Sequence, residues 1–104
     1  MKTLTLSLKR KWFDMIKAGV KLEEYRELTE YWIKRLLDNS VEYDHYLYRF
    51  RRFEKLVFTL GYPKADDTSR RLEFKNPKIR IGTGRTEWGA EPGKNYFIIT
   101  WEKL

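Results

Sequence analysis

Leu4, Leu6 and Leu8 alternate with Thr3, Thr5 and Ser7, the two-residue period of a half-buried first strand. The period then changes. After Lys9-Arg10-Lys11, the residues Trp12, Phe13 and Ile16 fall on one stripe of a short helix, and Gly19 stands where a left-handed residue ends it. A strand from Val20 to Leu28 follows. Thr29 is placed to cap a second helix through Leu37, with Leu28 stapled to Ile33 and with Trp32, Ile33, Leu36 and Leu37 on its apolar face. Asp38 to Asp44 reads as loop. Phe53 to Leu60 is a strand ended by Gly61-Tyr62-Pro63, and Lys64 to Ser69 is a polar turn. Arg71 to Lys75 makes another strand, Asn76-Pro77 interrupts it, and Lys78 to Ile81 resumes. Gly82 to Gly93 is a loop with four glycines and a proline, and Tyr96 to Trp101 is the last strand. Five to six strands with two helices near the N-terminus predict an α+β domain, most simply a small curled β-sheet or barrel.

One predicted strand carries charge where the alternation asks for core. Glu24 and Arg26 share a face with Val20, Leu22 and Leu28. Burying a carboxylate and a guanidinium is unfavourable unless they pair or meet a polar ligand. Either this face borders a polar cleft, or the two form a sealed internal salt bridge. Lys21 lies three residues before Glu24 and so on the opposite face of a regular strand. The two share a site only if Lys21 belongs to the turn after Gly19 or a bulge intervenes.

The chain has 104 residues, enough for one core and one domain over 1–104. It has no cysteine, which excludes disulfides, thiolate metal sites and a thiol nucleophile. It shows no apolar run of membrane-spanning length and no signal-peptide stretch, so a cytoplasmic protein without membrane contact is expected. The balance is basic, with 22 Lys and Arg against 15 Asp and Glu. Such an excess favours polyanions, of which nucleic acid is the commonest, although the same charge also serves solubility. Neither half is much more basic than the other, so any basic patch must be made by folding. Nothing in the pattern sets an oligomeric state.

The segment Ile16-Lys17-Ala18-Gly19-Val20-Lys21-Leu22-Glu23-Glu24-Tyr25-Arg26 resembles the signature of the ASCH domain family, a branch of the PUA-like superfamily. Gly19, Lys21, Glu24 and Arg26 fill its Gly-x-Lys-x-x-Glu-x-Arg pattern. Ile81-Gly82-Thr83-Gly84 and Glu87-Trp88-Gly89-Ala90-Glu91-Pro92-Gly93 resemble small bacterial and phage-borne members. The resemblance implies a PUA-like barrel that binds RNA or a modified nucleotide in a polar cleft lined by Gly19, Lys21, Glu24, Arg26 and Trp88. It also implies an alternative, since some relatives are hydrolases acting on N4-acetylcytidine or on RNA. In the acetylcytidine hydrolases a Lys acts on a Thr nucleophile. Lys21 matches the Lys, whereas Glu24 stands in place of the Thr, leaving Lys21 and Glu24 as candidate catalytic residues with Glu24 as a base for water. An interaction protein with no nucleic-acid ligand is the third reading.

Independently of any family, Tyr46 to Phe53 interleaves aromatics with Arg49, Arg51 and Arg52, which is a nucleic-acid-binding pattern but more often that of an amphipathic strand with aromatics inward and charges in water. Lys9, Arg10 and Lys11 are candidates for the same surface. Trp88 is a candidate stacking lid over the glycine loop. His45 is the sole histidine, and Asp66-Asp67 reads as a turn, so no metal site and no cofactor are expected.

Overall fold

The computed structural model describes residues 2–38 and 50–104. Among the described residues five strands form one mixed sheet with two α-helices against it, an α+β arrangement. The strands are β1 (Thr3–Leu8), β2 (Glu24–Glu27), β3 (Lys55–Leu60), β4 (Arg71–Thr83) and β5 (Asn95–Lys103); the helices are α1 (Arg10–Lys17) and α2 (Glu30–Leu36). Their order across the sheet is β1-β3-β4-β5-β2, with β1 and β3 parallel and every other pair antiparallel.

Local pattern explains most of these elements. In β1 the leucines are buried and the alternating Thr and Ser residues exposed. Phe13 and Ile16 bury the predicted stripe of α1, and Gly19 adopts φ 75°, the left-handed turn that closes a helix. Thr29 caps α2, its hydroxyl accepting from the Trp32 N–H, while Leu28 is exposed. β4 runs unbroken where an interruption was expected. Asn76 at φ 50° and a shifted register between Lys75 and Lys78 form a bulge, so the strand bends at Asn76-Pro77 without ending. Residues 71–75 pair with β3, while residues 74–75 and 78–83 pair with β5 on either side of the bulge, a feature that bends and twists a strand.

Curling brings the two edge strands together. Arg26 on β2 donates from Nη2 to the Ser7 carbonyl of β1 at 3.0 Å. Arg35 on α2 donates to the Thr5 carbonyl of the same edge, also at 3.0 Å. Two guanidiniums thus satisfy edge carbonyls two residues apart, which keeps another strand from adding there. β5 is covered on both faces. Phe97 and Ile99 join the main core with Leu4, Leu6, Phe13 and Phe58, while Tyr96 and Ile98 pack with Tyr25 and Ala90 in a second, smaller cluster.

The predicted strand from Val20 to Leu28 needs correction. Only Glu24–Glu27 is strand, and Val20 and Leu22 are 57% and 56% exposed, while Lys21 between them is 1% exposed. The Val20 and Lys21 N–H groups both bond the Met15 carbonyl, at 2.9 and 3.1 Å. Residues 20 and 21 are therefore still wound onto the end of α1, and strand alternation starts only at Glu24. The Tyr46 to Phe53 pattern falls mostly outside the described residues. Phe50 makes an isolated bridge to Leu37, and residues 51–53 approach β3 irregularly.

Candidate functional site

Because Lys21 belongs to the turn, it reaches Glu24 from below the start of β2. Lys21 Nζ donates to Glu24 Oε1 at 3.0 Å and to the Trp88 carbonyl at 2.7 Å. Glu24 Oε1 also accepts the Tyr25 N–H at 2.9 Å, and its Oε2 lies 3.1 Å from Arg26 Nη1. Glu24 is 4% exposed. The triad Lys21–Glu24–Arg26 combines the two readings left open above: a nearly sealed ion cluster that forms the floor of a polar cavity of about 330 Å³. Trp12, Trp32 and Trp88 line that cavity, with Glu27 and Glu91 also contributing to its lining. Gly19 ends α1 and is outside the lining; its part is to set the turn that sends Lys21 inward.

Burial pushes the Lys21 ammonium down from its ordinary 10.5, while the Glu24 carboxylate, by charge and hydrogen bond, pulls the other way and Arg26 adds a smaller downward push. The ammonium also lies 4.3 Å from the Trp12 ring centroid, an electron-rich face. Two of its three donors are taken by Glu24 and the Trp88 carbonyl. Lys21 therefore ties the Trp88 segment to the signature turn, across 67 residues of sequence.

The glycine loop is latched by two tyrosines. The Tyr25 hydroxyl donates to Glu23 Oε1 at 2.8 Å and accepts the Arg85 N–H at 2.9 Å; the Tyr96 hydroxyl accepts the Glu91 N–H at 3.1 Å. Gly84 passes so close over the Tyr25 ring that a Cβ there would sit 2.6 Å from two ring carbons. Burial alone would raise the Glu23 carboxyl, but hydrogen bonds from Arg80 and Tyr25, with the charges of Arg80 and Arg85, together hold it below its usual range. Burial likewise raises the Tyr25 phenol from 10.0 to about 12, a rise that the Glu23 hydrogen bond and charge reinforce and the Arg85 N–H opposes. The folded state keeps this proton while the unfolded chain loses it. The contribution of Tyr25 is thus full below pH 10 and lost as pH rises towards about 12. Ultraviolet titration should show a tyrosinate step near pH 12 that is missing in Tyr25→Phe, and its persistence in that variant would refute the latch.

The basic candidates separate. Lys9 lines a groove beside β1, Lys11 lies over Trp12 at 4.7 Å, and Arg10 is exposed on α1. Arg51 and Arg52 line a different depression with Asn76, Pro77 and Lys78. Arg51 is turned onto the end of α2, donating from Nε to the Leu37 carbonyl at 3.0 Å and from Nη2 to that of Lys34 at 3.3 Å. Arg49 and His45 lie outside the described residues. The two basic segments do not meet in one cavity. Sequence reasoning had placed Trp12 and Trp32 on the apolar faces of their helices and assigned no site role to Tyr25, Arg35 or Arg71. The adjacency of Lys11 and Trp12 was the one local sign. Among the described residues no cluster of three or more His, Asp or Glu side chains is set to hold a metal, and no helix is long and apolar enough to cross a membrane.

Comparison with family models, with curated proteins and with solved structures finds no match to this chain.

Proposed function

We propose that this chain binds a nucleobase of RNA, or a modified nucleotide derived from it, in the cavity above Lys21, Glu24 and Arg26, in the manner of the PUA-like ASCH proteins its signature segment resembles. The observation that carries this reading is the composition of the cavity: a floor of mutually satisfied charges under walls of Trp12, Trp32 and Trp88. Aromatic faces take a flat heterocycle by stacking, and a mixture of donors and acidic acceptors suits its polar edges. The acids Glu24, Glu27 and Glu91 make the same cavity unfavourable to a phosphate. Binding is favoured over hydrolysis because both Glu24 oxygens are engaged and Lys21 is held as a donor, which leaves neither of these two residues free to act as nucleophile or base.

The test is incubation with a panel of nucleosides, including N4-acetylcytidine, and short RNAs, scored for retention and turnover. Retention without turnover is expected. Trp88→Ala keeps the carbonyl that Lys21 uses but removes a wall, and should weaken retention roughly fivefold or more if a base stacks there. Hydrolysis of acetylated cytidine by the wild type, lost in Lys21→Arg, would replace the binder with an enzyme.

A further inference from the structure

On the other side of Arg26 and Trp32 lies an open groove of about 720 Å³, running along the outer edge of β1. Its charge differs in kind from that of the cavity. Lys9, Arg26, Arg35 and Arg71 line it, and no acidic residue does among the described residues. Of the four, Arg26 alone meets a carboxylate, Glu24; Lys9, Arg35 and Arg71 have none within ion-pair distance among the described residues. The seam explains how so much charge is held in place. Among the described residues Arg35 is anchored by neutral acceptors, the Thr5 carbonyl and the Tyr31 hydroxyl, neither of which offsets its charge. Trp32 lies against both Arg26 and Arg35, whose guanidinium carbons are 5.3 and 5.6 Å from its ring centroid. At the far wall, the Arg71 Nε is buried and finds no hydrogen-bond partner among the described residues. The same guanidinium is held by a neutral acceptor, its Nη2 donating to the Pro63 carbonyl at 3.4 Å.

The geometry points to a phosphate track for single-stranded RNA along this groove. The inference rests on the nucleobase reading above, because Arg26 and Trp32 line both spaces and so set them side by side. A strand whose base enters the acidic, aromatic cavity would carry its adjacent phosphates into the purely cationic groove. Tyr62, 95% exposed on the groove wall, offers a free ring face to the next base. This exposed ring favours RNA over an acidic or phosphorylated peptide, which has phosphates or carboxylates but no bases to stack. A duplex is excluded as the ligand, since its paired bases cannot enter the cavity.

The experiment measures fluorescence anisotropy of a labelled short single-stranded RNA across a salt series, for the wild type and for Lys9→Gln, Arg35→Gln, Arg71→Gln and Tyr62→Ala. Nucleoside retention is followed in parallel, and a phosphoserine peptide serves as competitor. Each lost cation should lower the slope of log affinity against log salt by about 0.7. Tyr62→Ala should weaken RNA binding roughly fivefold or more at every salt concentration. Nucleosides carry no phosphate, so their retention should be unchanged in all four variants. Lys9 and Tyr62 are exposed, so their variants report on binding even if Arg35→Gln or Arg71→Gln fails to fold. Unchanged slopes with nucleoside retention intact would overturn the track and leave the cavity reading standing. A lowered slope with no nucleoside retained would support the track and remove the cavity reading. Binding of the phosphopeptide more tightly than RNA, with the same dependence on these cations, would overturn the assignment to nucleic acid.

Discussion

Glu24→Gln should remove a large share of this domain's stability. The substitution preserves shape but removes the charge that holds Lys21 and Arg26, and Lys21 is then a buried ammonium, 1% exposed, with no carboxylate beside it. Breaking a buried ion pair from one side costs roughly 3–5 kcal/mol. Domains of this size have a total stability of about 5–15 kcal/mol, and each kcal/mol lowers the melting temperature by about 4–8 °C. A loss on the order of 20 °C is expected in a thermal melt. The comparison that gives the test its force is Lys21→Met. It removes the charge that needs compensation and leaves Glu24 with Arg26 and the Tyr25 N–H, so it should be clearly milder than Glu24→Gln. Combining the two should recover much of the loss, as replacement of both members of a buried pair often does. Equal melting temperatures for wild type and Glu24→Gln would mean that the cluster is solvated and the site is not built as described.

Gly89→Ala should also produce a large loss, and for two separable reasons. Gly89 has φ 102°, a conformation that disfavours any residue with a Cβ, and that Cβ would lie 2.9 Å from Trp12 Cζ2. Backbone strain and the collision together cost roughly 2–5 kcal/mol. To relieve the overlap the Trp12 ring must move, and it then no longer flanks Lys21 or walls the cavity. Lower stability and weaker retention of nucleosides are therefore expected together, with a change in tryptophan fluorescence. Gly93→Ala separates the causes. Gly93 has φ 73° but nothing within 4 Å of its Cβ position, so it carries strain without collision. If the two variants lose equal stability and both keep nucleoside retention, Trp12 is not pressed against the loop.

Several parts of the site were legible early because they depend on neighbours in sequence. The stripe of Trp12, Phe13 and Ile16 followed by Gly19 defines a helix and its stop through local hydrogen bonding. Glu24 and Arg26 could be singled out because charges at alternating positions contradict an apolar face, whereas Gly19 and Lys21 joined them only through the resemblance of the segment to a family signature. Their geometry was not legible. Whether Val20 continues a helix end or begins a strand depends on a single carbonyl, that of Met15, which accepts both following N–H groups. That one choice turns Lys21 inward and exposes Val20 and Leu22, against their hydropathy.

By itself the sequence determined an α+β domain, its two helices near the N-terminus, the leucine face of β1 and the basic charge, since period and composition act locally or additively. The tertiary structure alone decided which charges are paired. Lys21 finds the Trp88 carbonyl 67 residues away, while Arg26 and Arg35 find the β1 edge 19 and 30 residues away. Lys21 meets Trp88 because the loop before β5 lies beside β2, the neighbour of β5, and Arg26 and Arg35 meet β1 because the curled sheet brings its two edges together. The mixed-charge cavity and the groove that is cationic among the described residues lie side by side through that closure, and no local pattern encodes a contact between the two edge strands of a sheet.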